Sequence, residues 1–388
     1  MSDNVYKSFL FVIFACNFLI GIIFGFFFLN GEWNEIIFLT IIVFLLLRFL
    51  FMAFSGKFLY VFLCVCLGLF CGIFRYFLHL DYGSFDFGFL SEYFSFMSDR
   101  IDFVFRNVLP APYSGFVEGL ILGKKSVLGN DILENFKATG LTHIVAVSGY
   151  NISILIAFCS NFFGFLGRKG KFFAMIFLIV LFVCLTGFSA SCVRAAMMGI
   201  VSYYAVFSGR QYLPFIGLIF AAFIMNLFLP TLIFDDIGFQ LSFGATFGIV
   251  YFYPILEKFL KFIPDVFGFR SAFLMTISAQ ILTMPVILIN FGNLSAISPI
   301  ANIFVLPLIP MAMFFGFIVL FVGIFSLKAA MIFGFFEYAI LKFILFLVDV
   351  FAHVPFAYCK INWFTPEIFF VYYFFAIFFM LKNLVLRF

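Results

Sequence analysis

The feature that most constrains this chain is a succession of apolar runs, each about as long as a lipid bilayer is thick. A helix that crosses the hydrocarbon core needs about 20 mostly apolar residues, because each residue advances it by about 1.5 Å. Such runs lie at 9–29, 36–54, 58–78, 141–166, 172–190, 191–208, 212–229, 238–256, 271–291, 296–325, 329–350 and 366–386. They predict an all-α polytopic integral membrane protein with about twelve transmembrane helices and some short amphipathic or re-entrant helices.

The composition excludes a soluble protein. Hydrophobic residues make up 66% of the 388 residues and charged residues only 10%, whereas a soluble domain carries about 25% charged residues. The first run follows Lys7 and is longer than the apolar core of a secretory signal, which has about 7–15 residues. We therefore expect this run to be retained as the first helix.

The distribution of charges orients the helices. With about twelve spans, most Lys and Arg side chains fall on one side of the membrane, whereas Glu32, Glu35 and the acidic stretch 81–102 fall on the other. Because Lys and Arg favour cytoplasmic loops, both termini are predicted to be cytoplasmic, in a cytoplasmic (inner) membrane protein. Three lysines within 110–140 fall on the outer side, so that segment is predicted to dip into the membrane without crossing it.

Three segments depart from a simple span. Residues 79–109 are mixed and amphipathic, which predicts an interfacial helix on the outer face. Residues 110–139 predict a short helix, a turn and a second helix. The run 296–325 contains three prolines, so it is expected to be a broken helix or to include a re-entrant piece.

The stretch GLTHIVAVSGYNISIL, at 140–155, places polar groups inside an apolar run. On one continuous helix, His143, Ser148 and Asn151 would lie within an arc of about 140°. Two interpretations remain open. The polar groups could make hydrogen bonds between helices, with Ser148 and Gly149 allowing close packing, or they could line a cavity.

Ser148 and His143 also raise the alternative of an intramembrane serine hydrolase. The nucleophile would need a base within hydrogen-bond reach, but residues five apart on one helix point about 140° away from each other. The histidines at 79, 143 and 353 lack metal-binding spacing, and Gly119–Ser126 lacks the spacing of a phosphate-binding loop. We therefore expect no catalytic residue, no metal and no cofactor, in a protein that is not an enzyme.

The stretch FKATGLTHIVAVSGYNISIL resembles the signature of the ComEC family, the competence membrane channels that bring DNA into bacteria. Four further segments resemble later parts of that family in the same order: LTGFSASCVRAAMMG, SGRQYLPF, FDDIGFQLSFGATFGI and SAQILTMPVILINFGNLSAISPIANIFVLPLIP. The matching positions are Gly140, His143, Ala146, Ser148, Gly149, Arg194, Gly209, Arg210, Gly238 to Phe243, Gln280, Thr283, Pro285, Phe291, Ser298, Asn302, Pro307 and Leu308.

The resemblance implies a channel that passes single-stranded DNA across the cytoplasmic membrane. The candidate residues along the DNA path are His143, Ser148, Asn151, Arg194, Gln240, Ser242, Gln280 and Asn302, with Gly140, Gly149, Gly238, Pro285 and Pro307 as structural positions. Arg194 is the best intramembrane cation, although an arginine snorkelling to the interface is an alternative. The uncharged polar residues could instead make hydrogen bonds between helices.

Larger members of the ComEC family carry an oligonucleotide-binding barrel and a metallo-β-lactamase-like nuclease, and we expect neither here. The expected division is an N-terminal three-helix membrane region with an outer amphipathic segment, at 1–109, and a ComEC-like core at 110–388. Expected partners are single-stranded DNA, the lipid bilayer, a separate nuclease, a cytoplasmic ATPase or helicase, and further copies of the chain. Alternatives are a transporter of another solute on the same fold and a scaffold that recruits a nuclease.

Overall fold

The computed structural model describes residues 3–30, 58–82, 88–123, 128–145, 149–188, 190–210, 213–262, 265, 268–355, 357–361 and 363–385. The first helices are α1 (Asp3–Asn30), α2 (Phe58–Tyr82), α3 (Gly88–Val108), α4 (Tyr113–Leu122), α5 (Asn130–Ala138), α6 (Thr142–Val145) and α7 (Gly149–Phe162). A 3-10 turn at Phe163–Leu166 leads to α8 (Gly167–Leu185), α9 (Ala190–Phe207), α10 (Pro214–Phe228) and α11 (Leu232–Asp235). The predicted span 36–54 lies outside the described residues.

The remaining elements are α12 (Ile237–Phe259), α13 (Phe269–Phe291), β1 (Asn293–Ser295), α14 (Ser298–Val305), α15 (Ile309–Phe325), α16 (Leu327–Ala352), β2 (Tyr358–Lys360) and α17 (Pro366–Val385). A 3-10 turn at Leu306–Leu308 separates α14 from α15, so the predicted break in the run 296–325 is confirmed. The two helices predicted within 110–139 are also confirmed, as α4 and α5, while residues 124–127 between them lie outside the described residues.

The chain is a multi-pass membrane protein built almost entirely from α-helices. Within the described ranges, four helical segments are long and apolar enough to cross a membrane: Ile237–Phe259, Phe269–Phe291, Ser298–Phe325 and Leu327–Ala352. Several shorter apolar helices accompany them. The number of twelve spans stays a prediction, as do the orientation of the termini and the division at residue 109.

The all-α class is confirmed, with one small addition that was not predicted: β1 and β2 form a two-stranded antiparallel ribbon. Leu294 pairs with Cys359 at its centre. Gly292 ends α13 in a left-handed conformation with φ +64°, which glycine adopts without strain. Its carbonyl accepts a hydrogen bond from Ile361 at 2.8 Å. The ribbon was not predicted because each strand is only three residues long.

α1, α2, α10 and α11 form one compact unit. α1 and α2 pack closely because glycines line both helices: a Cβ added at Gly21 or Gly72 would overlap the backbone of the other helix. Small residues spaced four apart allow such close approach between membrane helices. Arg75 of α2 donates to the carbonyls of Leu227 and Phe228, at 2.6 and 2.7 Å, and so satisfies the C-terminal end of α10.

The second unit contains α3 to α9 and α12 to α17. Its largest buried cluster joins α3, α4 and α5 to α14, α15 and α16. Glycines set this packing: a Cβ at Gly323 would overlap Val104, and one at Gly334 would overlap Val108. The predicted interfacial segment 79–109 therefore contributes its C-terminal half to the core, where Phe105 is fully buried. α7, α8 and α9 bury a second cluster.

Candidate functional site

The structure describes two helical segments of the stretch 140–155, α6 and α7, and residues 146–148 between them lie outside the described residues. His143 lies in the described segment α6 and Asn151 in the described segment α7. The common arc of about 140° on one continuous helix therefore stays a prediction. Ser148 lies outside the described residues.

Gly140 brings this stretch against the beginning of α14. Its φ is +70°, and an added Cβ would lie 2.7 Å from the Cβ of Ser298 and 3.1 Å from that of Ser295. Only glycine fits such a position without strain. Ser298 in turn accepts a hydrogen bond of 3.4 Å from the Asn302 amide, which is itself buried. Two segments of the predicted signature, about 160 residues apart along the chain, therefore meet at Gly140.

His143 and Asn151 have different environments. The His143 side chain is exposed, and its Nδ1 lies 3.2 Å from the Gly140 carbonyl oxygen. Asn151 is buried, and its amide donates to the Leu120 carbonyl of α4 at 2.9 Å. For Asn151, the interpretation as a hydrogen bond between helices is therefore confirmed. Its neighbour Tyr150 donates to the Leu306 carbonyl at 3.4 Å, in the 3-10 turn.

Arg194 of α9 lies inside the second unit rather than at its surface. Its side chain is only 5% exposed, which contradicts the alternative of an arginine snorkelling outward. The guanidinium carbon lies 5.6 Å from the centre of the Phe243 ring of α12. The guanidinium also lies 3.9 Å from the place of a Cβ on Gly149, so the absence of a side chain there leaves room for it. Three predicted blocks thus meet around one buried cation.

The remaining predicted polar residues lie on α12 and α13. Gln240, Ser242 and Gln280 are half-buried, and Gly238 is exposed at the beginning of α12. The Ser242 carbonyl accepts a hydrogen bond of 3.0 Å from the Thr246 hydroxyl one turn later. These positions therefore lie on neighbouring packed helices.

The two predicted structural prolines have different roles. Pro285 is buried inside α13 and has no N–H to donate, which leaves the Ile281 carbonyl without its helical partner. The Tyr372 hydroxyl of α17 donates to that carbonyl at 2.8 Å, and so replaces the lost hydrogen bond. Pro307 is exposed in the 3-10 turn between α14 and α15, where it helps to break the helix.

Two buried glutamates were missed by the sequence analysis. Glu118 of α4 is fully buried, and its Oε1 lies 3.7 Å from the Nε of Arg106 of α3. Glu337 of α16 is also fully buried, and no described group donates a hydrogen bond to either of its oxygens. A charged residue type inside the apolar run 329–350 was a signal that could have identified Glu337. Among the described residues, no three His, Cys, Asp or Glu side chains form a metal site.

The comparisons with known proteins agree with the predicted resemblance. The family model described as competence protein matches residues 120–385. ComE operon protein 3 of Bacillus subtilis (strain 168) is 25% identical over 205 residues, which cover 52% of this chain and 25% of that protein. The chain therefore spans about a quarter of the length of this curated relative. No solved structure matches the chain. Because the family model covers more than half of the residues, this chain belongs to the competence protein family.

Proposed function

We propose that this protein conducts single-stranded DNA across the cytoplasmic membrane during DNA uptake, along a path beside Arg194. Membership of the competence family supports a role in DNA uptake at the level of the family. The relative in Bacillus subtilis, named for the ComE operon, is consistent with that role. The observation that carries the proposal is the buried cation at the meeting point of α7, α9 and α12.

The chemistry around Arg194 suits a nucleic acid in transit. Phosphates carry one negative charge per nucleotide, and a cation compensates this charge where water and counterions are excluded. Aromatic rings such as Phe243 offer a stacking surface that accepts any base. Because a moving strand must bind weakly at each step, one arginine and one ring suit it better than a deep, multiply charged pocket.

The burial of Arg194 has a consequence for the mechanism. Because the Arg194 side chain is buried, a strand of DNA reaches the guanidinium only when the packing around it opens, and the Phe243 ring of α12 is one neighbour that would have to move. Gly149 allows the guanidinium to sit close to α7, and a small residue also permits helices to slide past one another. In this proposal, the described arrangement is the closed state, and DNA enters when the contact with Phe243 opens.

The proposal assigns no catalytic residue, metal or cofactor to the chain. Degradation of the second strand would then belong to a separate nuclease, and the pulling force to a cytoplasmic ATPase or helicase. Further copies of the chain are a proposed partner as well. Co-purification of the tagged protein from competent cells identifies such partners directly.

The experiment is an uptake assay in a strain that lacks this gene. Cells receive fluorescent double-stranded DNA, and internalised single-stranded DNA and transformants are both counted. We expect the deletion to abolish both readouts, wild-type protein to restore them, and Arg194→Ala at equal membrane abundance to restore little. Normal incorporation of DNA by the deletion strain would refute the proposal. It would then favour transport of another solute on the same fold.

A further inference from the structure

A second chemical centre lies in the same unit as Arg194, among α4, α15 and α16. Glu337 is in the apolar helix α16, which is long enough to cross a membrane, and its side chain is fully buried. Polar and ionisable side chains at membrane depth are costly, and those that persist usually have a function. The proposed DNA path beside Arg194 makes no use of the Glu337 carboxyl.

The surroundings of Glu337 are apolar. Gly316 of α15 lies opposite, and a Cβ placed there would be 3.6 Å from Oε1 and 3.0 Å from the nearest methyl group of Val117 on α4. The Cδ1 methyl group of Ile121, also on α4, would be 3.1 Å from that Cβ position on Gly316. Within the described part of the chain, neither carboxyl oxygen receives a hydrogen bond. A carboxylate without partners in such a site is strongly disfavoured relative to the neutral acid.

Across the part of the chain that the structure describes, no cation forms an ion pair or a hydrogen bond with Glu337. α14 and α15 carry no titratable side chain. α4 contributes Glu118, which has Arg106 of α3 beside it, and Tyr113, whose ring packs against Tyr338. The charged groups of α5 are exposed: Asp131, Glu134 and Lys137. On α16 itself, Lys342 lies over the Tyr338 ring at 5.7 Å. Of the two buried glutamates, Glu118 is therefore paired with a cation, whereas Glu337 is surrounded by apolar groups.

We propose that Glu337 is a proton-binding site in the membrane interior, neutral in the described packing of α16 against α4 and α15 and ionised when that packing opens to water. Proton release would then favour the open arrangement and proton uptake the closed one, because only the open one solvates the charge. This exchange of a proton would link proton movement to the opening of the DNA path. That link rests on the proposed function, whereas the proton-binding site itself does not.

The proposal that Glu337 binds a proton is tested without DNA. Membranes that contain the whole protein are treated at neutral pH with dicyclohexylcarbodiimide, an apolar reagent that adds to protonated carboxyls, and the modified peptides are identified by mass spectrometry. We expect labelling of Glu337 at least about tenfold above that of the exposed Glu134 and the paired Glu118. A charged, water-soluble carbodiimide should label Glu337 poorly. Absence of the apolar label at Glu337 would overturn the proposal, whether or not the protein carries DNA.

The coupling between proton binding at Glu337 and DNA uptake is tested by substitution of Glu337. Glu337→Gln preserves shape and neutrality but binds no proton, so it should fold and insert as wild type while DNA uptake falls about tenfold and no longer varies with external pH. Glu337→Asp retains an ionisable group and should restore part of the pH response. If Glu337→Gln matches wild type at every pH, the carboxyl is structural only and the coupling is refuted.

Discussion

The guanidinium of Arg194 lies 5.6 Å from the centre of the Phe243 ring, inside the helix bundle. The two residues belong to different segments of the competence signature and are brought together by the packing of α9 against α12. A cation over an aromatic face is attracted by the ring electrons, by about 2 kcal/mol where water is excluded. The pair therefore contributes to holding the two helices together.

The identity of the cation at position 194 should affect uptake. Arg194→Lys keeps the charge but loses the planar group that stacks on Phe243, so we expect uptake of DNA to fall by about tenfold, less than in Arg194→Ala. Uptake is measured as transformants per viable cell at equal protein abundance. The matched control is Arg168→Lys, because Arg168 is exposed and lies 5.2 Å over the Phe207 ring. Equal losses from both lysine substitutions would contradict a special role for Arg194.

Asn151 should contribute to stability rather than to selectivity for DNA. Asn151→Ala removes the buried hydrogen bond between α7 and α4, from the Asn151 amide to the Leu120 carbonyl. We expect a loss of about 1–3 kcal/mol in the free energy of unfolding, measured by thermal unfolding in detergent. Ser153→Ala is the control on the same helix. Ser153 is exposed, and its hydroxyl donates to the Gly149 carbonyl one turn earlier in α7, so this hydrogen bond does not join two helices. A stable Asn151→Ala protein with lost uptake would instead place this amide on the DNA path.

The contact between Gly334 and Val108 should determine how α16 packs on α3. An added methyl group at 334 would overlap Val108, and β-branched valine has little freedom to move away. Gly334→Ala should therefore lower the unfolding free energy by about 1–3 kcal/mol. The double substitution Gly334→Ala with Val108→Ala should recover part of that loss. Gly164→Ala, at a site with open space around it, should have little effect, and an equal loss there would argue against the contact.

Gly140 should be required both for its backbone conformation and for its contact with α14. An alanine at position 140 would have to adopt a left-handed backbone conformation, which costs about 1–2 kcal/mol. Its Cβ would also overlap the Ser298 side chain. Gly268 has φ +78° with open space around it, so Gly268→Ala measures the backbone cost alone. We expect Gly140→Ala to lower the melting temperature further than Gly268→Ala does. Equal shifts would show that the contact with Ser298 contributes nothing.

The apolar runs were sufficient to predict most of the helices, because length and hydropathy are local properties. The break near Pro307 could also be predicted, because a proline has no backbone N–H to donate within a helix. The ribbon of β1 and β2 depends on pairing across about 65 residues, and no local pattern reports such pairing.

The site was predicted as a set of residues but not as an arrangement. The sequence signature identified Arg194 and the segment that ends at Phe243, but it did not reveal that these two residues touch. It also treated His143 and Asn151 as neighbours, whereas the structure separates them into an exposed ring and a buried amide. Glu337 was missed because it lies outside the signature segments quoted from the family, although its charge inside the apolar run 329–350 was a signal, and its complete burial adds to that signal.

The passage of DNA beside Arg194 is tested most directly by photocrosslinking at its aromatic neighbour. Benzoylphenylalanine replaces Phe243 in one variant and Phe335 in another, because Phe335 is 69% exposed on the outside of α16. Competent cells that carry either variant receive end-labelled DNA and are irradiated during uptake. We expect a covalent adduct between single-stranded DNA and the protein with the crosslinker at 243, and none with the crosslinker at 335. Uptake that continues with no adduct at 243, or with equal adducts at both positions, would contradict a DNA path beside Arg194.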